Sequence, residues 1–324
     1  MAWPNNTRQF TVNAGAKTSV ATTGETLVWD LPKTGILAAI WLNIACSLTG
    51  TPSTPSAVGQ ARLYSRVRVS ANAGINLVDV SGEGYNFLAR DFFEHGIDVT
   101  PSSVGRSAVA SGVLDHSMFF PIAINSRDPI GLVNLQNPDT QLRLEVEIGA
   151  LTRIANDFSA MSCVVTPYLA MFRMPLAKED RPKFDFLHTL QEDQNAVTSG
   201  VEFVYNWLRG NTYLSVIHGM TLASTAADSF TSAALRVNQN DYLRPALPPA
   251  FYSREFSQYH GRARILGVIP FDLITLSGLG NYGSLRDLLN TAQLTDIQSV
   301  IVPSATSTLY SMKRQLVYIG EPAK

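Results

Sequence analysis

The sequence predicts an all-β protein built from two similar halves, with short helices confined to loops. Three observations support this prediction. The segments between clusters of Ser, Thr, Gly, Asn and Pro are short and rich in β-forming residues. Helical periodicity is brief wherever it occurs, and several motifs of the first half recur in the same order in the second. The length of 324 residues is sufficient for two domains of about 150 residues each.

The strand pattern is clearest in QLRLEVEIG, residues 141–149. Leu142, Leu144 and Val146 alternate with charged residues, a period of two that is typical of a strand with one face in water. Similar β-rich segments recur along the chain at 26–31, 36–48, 62–70, 161–172, 201–208, 212–222, 233–239, 262–276, 299–303 and 308–319. Many short strands at this spacing favour a sandwich or a barrel.

Helical signals are limited to two loop segments. In GYNFLARDFFEHG, the side chains of Tyr85, Leu88 and Phe92 share one face, and a glycine ends the segment. In SLRDLLN, residues 284–290, Ser284 is the predicted N-cap. We therefore predict short loop helices whose apolar faces pack against the end of a sheet.

Four motifs of the first half resemble motifs of the second half. The pairs are LPKTGIL (31–37) with LRGNTYL (208–214), VRVSAN (67–72) with LRVNQN (235–240), RDFFEHG (90–96) with REFSQYHG (254–261), and QLRLEV (141–146) with QLTDIQ (293–298). The offset falls along the chain from 177 to 152 residues. Two copies of one fold, the second with shorter loops, produce this pattern. Chance similarity among β-rich segments is the alternative.

The duplication predicts two tandem eight-stranded jelly rolls, because about eight strands in some 150 residues suit that sandwich. The first jelly roll, with an N-terminal arm, is predicted at residues 1–176 and the second at residues 187–324. Between them, LAKEDRPKFDF concentrates charge in a charge-poor sequence and contains Pro182. Residues 177–186 are therefore predicted to link the two domains.

The charge balance excludes partners that need a basic surface. Lys and Arg number 25 against 26 Asp and Glu, a net charge of −1, and charged residues make up 16% of the chain. Sequence-specific nucleic-acid binding is not expected from so neutral a chain. The most apolar run, Ile36–Cys46, is too short to span a bilayer, and no signal peptide is expected at the N-terminus. Few charges favour permanent association with other chains.

No catalytic, cofactor or metal site is expected. The glycines of GLGNYG, residues 278–283, fit a dinucleotide fingerprint, but the following helix is too short for the crossover and no acidic residue follows the next strand. The five histidines lack the spacing of metal ligands. Cys46 and Cys163 have neither metal nor redox spacing, and in a reducing cytosol no disulfide between them is expected.

The duplicated pattern around VRVSAN and LRVNQN, the short helices after strands and the charge-poor composition resemble the double jelly-roll major capsid proteins of tailless icosahedral viruses, the tectivirus and corticovirus lineage. The resemblance implies a non-enzymatic chain that assembles into homotrimers. These trimers would form pseudo-hexagonal capsomers that tile an icosahedral virion shell, assembled in the host cytoplasm. Its implied partners are further copies of the chain, minor capsid or vertex proteins and, as an open alternative, an internal membrane.

Two groups of residues are candidates for contacts in such a shell. Each of the two loop motifs contains an adjacent pair of opposite charges and ends in a His-Gly step. Because adjacent residues on a helix do not face each other, the two charges of a pair do not bind each other and could bind neighbouring subunits instead. The candidates for inter-subunit contacts are Arg90, Asp91, His95, Arg254, Glu255 and His260. The alternatives are solvated charge and, for the histidines, a cation at a helix C-terminus. The arm expected at the inner face contains Trp3, Arg8 and Phe10. An arm without fixed structure, or one at a lipid interface, is the alternative.

Two rival functions remain open at this stage. A phage receptor-binding spike or lectin-like glycan-binding protein would need exposed aromatic residues beside acids or amides, and Tyr242, Phe251 and Tyr252 lie near Asp241. A bicupin-type enzyme, also built from two β-barrels, would need a His/Glu metal cluster in at least one half.

Overall fold

The computed structural model describes residues 7–20, 24–50, 63–72, 74–81, 111–124, 130–153, 158–220, 228–238, 241–260, 266–273 and 289–320. Within these residues the chain forms two compact units. Unit 1 contains the described residues up to Gln191 and those from Leu316 onward. Unit 2 contains the described residues of Glu192–Gln315.

Unit 1 consists of two antiparallel sheets. Its strands are β1 (Gln9–Asn13), β2 (Lys17–Ser19), β3 (Glu25–Asp30), β4 (Ile36–Gly50), β5 (Tyr64–Ala71), β6 (Ile75–Ser81), β7 (Ser111–Pro121), β8 (Val133–Asn134), β9 (Leu142–Ile148) and β10 (Phe158–Phe172). The first sheet has the order β1-β10-β4-β7, with β2 beside β10 and β8 beside β4. The second has the order β6-β5-β9-β3.

Unit 2 also contains two sheets. Its elements are β11 (Phe186–Val197), β12 (Phe203–Asn206), β13 (Thr212–Met220), β14 (Phe230–Val237), β15 (Asp241–Leu247), α1 (Pro249–His260), β16 (Val268–Asp272), β17 (Leu289–Asn290), β18 (Ile297–Pro303) and β19 (Ser307–Tyr318). The first residues of β11, up to Gln191, and the last residues of β19, from Leu316, are counted in unit 1. One sheet has the order β11-β19-β13-β16, with β17 beside β13, and the other has the order β12-β18-β14-β15.

The strand order of both units is that of a jelly roll. When the eight principal strands of each unit are numbered along the chain, one sheet has the order 1-8-3-6 and the other 2-7-4-5. The same order occurs in both units, so the predicted duplication is present in the connectivity itself. The prediction of an all-β chain with two tandem eight-stranded jelly rolls is confirmed.

The chain leaves unit 1 inside β11. The predicted linker, 177–186, lies in unit 1, and the chain enters unit 2 only after Gln191. The physical reason is that Leu190 and Gln191 pair in parallel with Val78 and Asp79 of β6, so the start of β11 belongs to the first sandwich. A charged, proline-containing segment therefore marks the approach to the boundary, whereas strand pairing sets the boundary.

The helices fall partly outside the described residues. The first predicted loop helix lies outside them, as do residues 284–288 of the second. The last two residues of that second segment form strand β17, since Leu289 pairs with Tyr213 of β13. A described helix, α1, occupies the loop of the REFSQYHG motif and ends at His260, where the sequence places a His-Gly step.

Alternation along the strands builds the cores. In β4, the side chains of Leu42, Ile44 and Cys46 are fully buried, whereas Trp41 and Asn43 are exposed. In unit 2 the buried side chains form one apolar cluster that includes Tyr213, Leu235, Tyr252, Phe271 and Ile301. Strands such as β4 and β9 thus contribute one face to the interior and the other to the surface. In β13 and β19, by contrast, most consecutive residues are buried, so both faces of these strands are covered.

The two jelly rolls share an asparagine at the same point of the fold, with the same backbone conformation and the same hydrogen bond. Asn72 and Asn238 both have φ of 49°, in the left-handed region where asparagine is tolerated. The Asn72 side-chain oxygen accepts the backbone N–H of Gln141 at 2.8 Å. The Asn238 oxygen accepts the N–H of Thr295 at 2.9 Å. Each asparagine therefore ties the turn after the fourth strand to the start of the seventh.

We expect Asn238→Ala to lower the free energy of unfolding by about 2–3 kcal/mol, because alanine loses the hydrogen bond and is strained at positive φ. Asn238→Gly loses the same bond without the strain and should cost about 1 kcal/mol less. Urea denaturation measures both, and the same ranking is expected at Asn72. An alanine variant as stable as the glycine variant would contradict this role for the backbone conformation.

Candidate assembly surface

The outer face of one sheet of unit 1 carries a patch of uncharged side chains. The register of β1, β10, β4 and β7 aligns outward residues in two neighbouring rows. The first row contains Asn13, Tyr168, Trp41 and Phe119, and the second contains Thr166, Asn43 and Ser117. These seven residues are called the uncharged face below.

Aromatic and amide contacts organise the uncharged face. The ring centroids of Trp41 and Phe119 lie 4.4 Å apart. Ser117 donates its hydroxyl to the side-chain oxygen of Asn43 at 2.9 Å. Trp41 is 43% exposed, and Val164, which points outward on β10, is 37% exposed. A large aromatic side chain is thus held in place by neighbouring strands while much of its surface remains in water.

The other sheet of unit 1 has a charged outer face on β5, β6 and β9. Arg66 donates two hydrogen bonds to Asp79, at 2.6 and 2.7 Å. Glu145 lies 3.4 Å from Arg68 and 3.1 Å from Arg143. The hydrogen bond to Asp79 raises the pKa of Arg66. These five residues, the charged face, form a network of partly exposed ion pairs, each of which contributes roughly 0–1 kcal/mol.

The contrast between the two faces indicates which of them suits contact with another chain. Covering the charged face would strip water from several ions, which is costly unless every charge is paired again. Covering the uncharged face removes water from aromatic surface and from amide and hydroxyl groups that can be satisfied by single hydrogen bonds. The uncharged face is therefore the candidate assembly surface.

The second group of predicted contact residues lies on α1. Glu255 accepts a hydrogen bond from Arg244 of β15 at 2.7 Å, so its carboxylate already has a partner in unit 2. Arg254 is exposed. The side chain of His260 is outside the described residues, as are Arg90, Asp91 and His95 in their entirety.

The N-terminal segment is part of a sheet from Gln9 onward. Phe10 lies in β1 opposite Met171 of β10, and the carbonyl of Arg8 accepts the N–H of Arg173 at 3.1 Å. Trp3 lies outside the described residues. The described part of the predicted arm is thus an edge strand with backbone partners.

The aromatic cluster that would favour glycan binding is not formed as the sequence suggested. Tyr252 is buried, and its hydroxyl donates to the carbonyl of Ala233 at 2.8 Å. Phe251 is exposed, and the side chain of Tyr242 is outside the described residues. Tyr252 therefore belongs to the core of unit 2 rather than to a binding loop.

A buried polar network in unit 2 had no signal in the sequence. His218 is fully buried, with Nδ1 2.8 Å from Ser311 Oγ and Nε2 2.9 Å from Ser299 Oγ. Trp207 donates its indole N–H to Ser299 Oγ at 2.7 Å. Burial lowers the pKa of His218 to about 3, so the ring is neutral at physiological pH. The arrangement cross-links strands inside the core and offers no access to a substrate.

We expect His218 to lower the free energy of unfolding as the pH is lowered. The unfolded chain binds a proton at this residue below pH 6.5, whereas the folded chain does so only near pH 3. Between pH 6.5 and 4 the loss should be about 3 kcal/mol. Urea unfolding of the protein and of His218→Gln at several pH values isolates this contribution, since the variant retains the other titrating groups. Equal pH slopes for the two proteins would contradict it.

The described ranges contain no group of three His, Cys, Asp or Glu side chains that could hold a metal ion. Among the helices of the described residues, none is long and apolar enough to cross a membrane.

Comparison with known proteins identifies the fold. No protein-family model and no curated protein matches the chain by sequence. The crystal structure of the STIV MCP, from Sulfolobus turreted icosahedral virus, has a TM-score of 0.71 at 16% identity, over 96% of this chain and 97% of that chain. The PBCV-1 virus capsid structure gives 0.65 at 10% identity, over 96% and 94%. The major capsid protein of bacteriophage PM2 gives 0.58 at 12% identity, over 98% and 100%. The chain therefore has the double jelly-roll fold along almost its whole length.

Proposed function

We propose that this chain is a major capsid protein that assembles with copies of itself into the shell of an icosahedral virion. The observation that carries the proposal is the uncharged face, an aromatic surface that a single chain leaves partly in water. The charged face, on the other sheet, would have ions to desolvate in the same kind of contact. The fold supports the same role by analogy, because the similar structures span whole capsid chains and leave little of either chain unmatched.

The proposed capsomer is a homotrimer. Three copies of a chain with two jelly rolls supply six sandwiches of equal connectivity, which approximate sixfold symmetry and can tile a plane without gaps. Trp41, Phe119 and Tyr168 provide the rigid aromatic surface that is enriched at the centre of protein interfaces. Asn13, Asn43 and Thr166 add amide and hydroxyl groups that single hydrogen bonds can satisfy, and none of the seven residues carries a charge that contact would desolvate.

The proposed role is structural and requires no catalytic residue. The other partners in this proposal are minor capsid or vertex proteins and, as an open alternative, an internal membrane. The proposed location is the virion capsid, reached by assembly in the host cytoplasm. Sequence-specific nucleic-acid recognition has no part in it, in keeping with the net charge of −1.

Native mass spectrometry and light scattering of the purified protein test this proposal. The expected species contains three chains of 35.3 kDa. Because the seven residues of the uncharged face carry no charge, the trimer should persist in 1 M salt, where the screening length falls to about 3 Å. A chain that stays monomeric at high concentration would contradict the proposed assembly. A trimer that dissociates in salt would instead assign the contact to the charged face.

A further inference from the structure

The two cysteines of the chain lie side by side in the core of unit 1. Cys46 of β4 and Cys163 of β10 are separated by 117 residues in sequence but are directly opposed in the antiparallel register. Both side chains are fully buried, and their sulfur atoms lie 2.6 Å apart. Sequence spacing gave no reason to expect this contact.

The register at this position places the two cysteines within the reach of a disulfide. Directly opposed residues of antiparallel strands have Cα atoms about 4.5 or 5.5 Å apart, depending on the hydrogen-bonding position. Both values fall within the roughly 4.4–6.8 Å that disulfides span. Both side chains also point into the same interior. A covalent link is therefore compatible with the pairing of β4 and β10.

We propose that Cys46 and Cys163 form an intrachain disulfide that joins the third and eighth strands of the first jelly roll. In the presence of a small-molecule disulfide such as oxidised glutathione, one cysteine thiolate attacks it, forms a mixed disulfide and releases one reduced glutathione. The second cysteine then displaces the other glutathione. The two protein thiols lose two electrons and two protons, and one oxidised glutathione becomes two reduced molecules. In the structure both cysteines are free thiols, and the sequence predicted no disulfide in a reducing cytosol. The proposed link therefore requires an oxidant during folding, and it is independent of the proposed capsid role.

Burial controls when this reaction can occur. Exchange requires a thiolate that can reach its target. The hydrogen-bonded Cys163 and the surrounding core raise the pKa of Cys46 far above its usual value, and neither sulfur is exposed to solvent. The bond therefore forms while the sandwich is still open. Once the fold has closed, the core keeps reagents in solution away from both sulfur atoms. A dithiol then stays reduced and a disulfide stays oxidised.

The test is refolding of the full chain from guanidinium in a buffer of oxidised and reduced glutathione. After refolding, thiols are counted in denaturant and the Cys46 and Cys163 peptides are mapped by mass spectrometry. The expected result is roughly zero free thiols per chain, with the two peptides linked. Two free thiols per chain would overturn the proposal.

Thermal unfolding provides a second measurement. The oxidised protein should melt roughly 5–15 °C above the same protein refolded with a reductant, because the link closes a long loop in the unfolded chain. The double variant Cys46→Ala/Cys163→Ala is the matched control and should melt at one temperature in both buffers. The single variant Cys163→Ala should retain one thiol and show no such gain. Equal melting temperatures for the oxidised and reduced wild-type protein would overturn the proposed link.

The timing is tested separately on the folded, reduced protein. Incubation with oxidised glutathione under native conditions should leave both thiols free over hours, whereas the same reagent links them during refolding. Rapid oxidation of the folded protein would overturn the conclusion that closure of the core fixes the redox state.

Discussion

Trp41→Glu is expected to keep the protein monomeric under conditions in which the wild-type protein forms trimers. The substitution places a carboxylate at the centre of the uncharged face, where contact with a second copy would bury it without a partner. A central aromatic residue of an interface contributes at least about 2 kcal/mol, so the dissociation constant should rise by roughly 30-fold or more. Analytical ultracentrifugation over a concentration series measures the change.

The monomer should tolerate this substitution, since Trp41 is already 43% exposed. Far-UV circular dichroism should therefore be unchanged, which separates lost assembly from lost folding. Ile75→Glu is the matched control, because Ile75 is 47% exposed in the same unit but begins β6 of the other sheet. That variant should still form trimers. Trimers of Trp41→Glu at wild-type affinity would remove the uncharged face from the interface.

Gly131→Ala is expected to lower the free energy of unfolding by about 3–5 kcal/mol. Gly131 has φ of +86°, a conformation that strains any residue with a Cβ atom. A Cβ atom at this position would also lie 2.7 Å from the carbonyl oxygen of Ile122 and 2.8 Å from Cβ of His188. Neither neighbour can move away as the flexible end of a long side chain could.

Gly15→Ala separates the two contributions. Gly15 has φ of +91°, but no atom lies within 4 Å of the place its Cβ would take. That variant should lose only about 1–2 kcal/mol, the cost of the backbone conformation. Urea denaturation of both variants, each with its thiols reduced, measures the difference. Equal losses at the two positions would show that crowding around Gly131 is relieved by small shifts.

The duplication was readable from the sequence to within two residues. The motif comparison pairs Arg68 with Arg236 at an offset of 168, whereas the equivalent turn residues, Asn72 and Asn238, are 166 apart. A shift of two residues keeps every side chain on the same face of its strand, so the aligned patterns still matched. Alternation in β9 was equally visible, because one face is buried and the other carries charge.

The contacts that depend on strand order could not be predicted from the sequence. Trp41 lies in the apolar run Ile36–Cys46, and nothing local shows that its outward neighbours are Phe119 and Tyr168. Those neighbours follow from the placement of the third strand between the eighth and the sixth. The same placement brings Cys46 to Cys163. Periodicity predicts which face a residue occupies, whereas topology decides which residues share it.

Electron microscopy of the purified full-length chain at high concentration tests the central claim, self-assembly into capsomers, most directly. The expected class averages show threefold particles with a pseudo-hexagonal outline, alone or joined edge to edge in sheets and shells. Fields of single chains at every concentration, with no threefold particles, would contradict the proposed function.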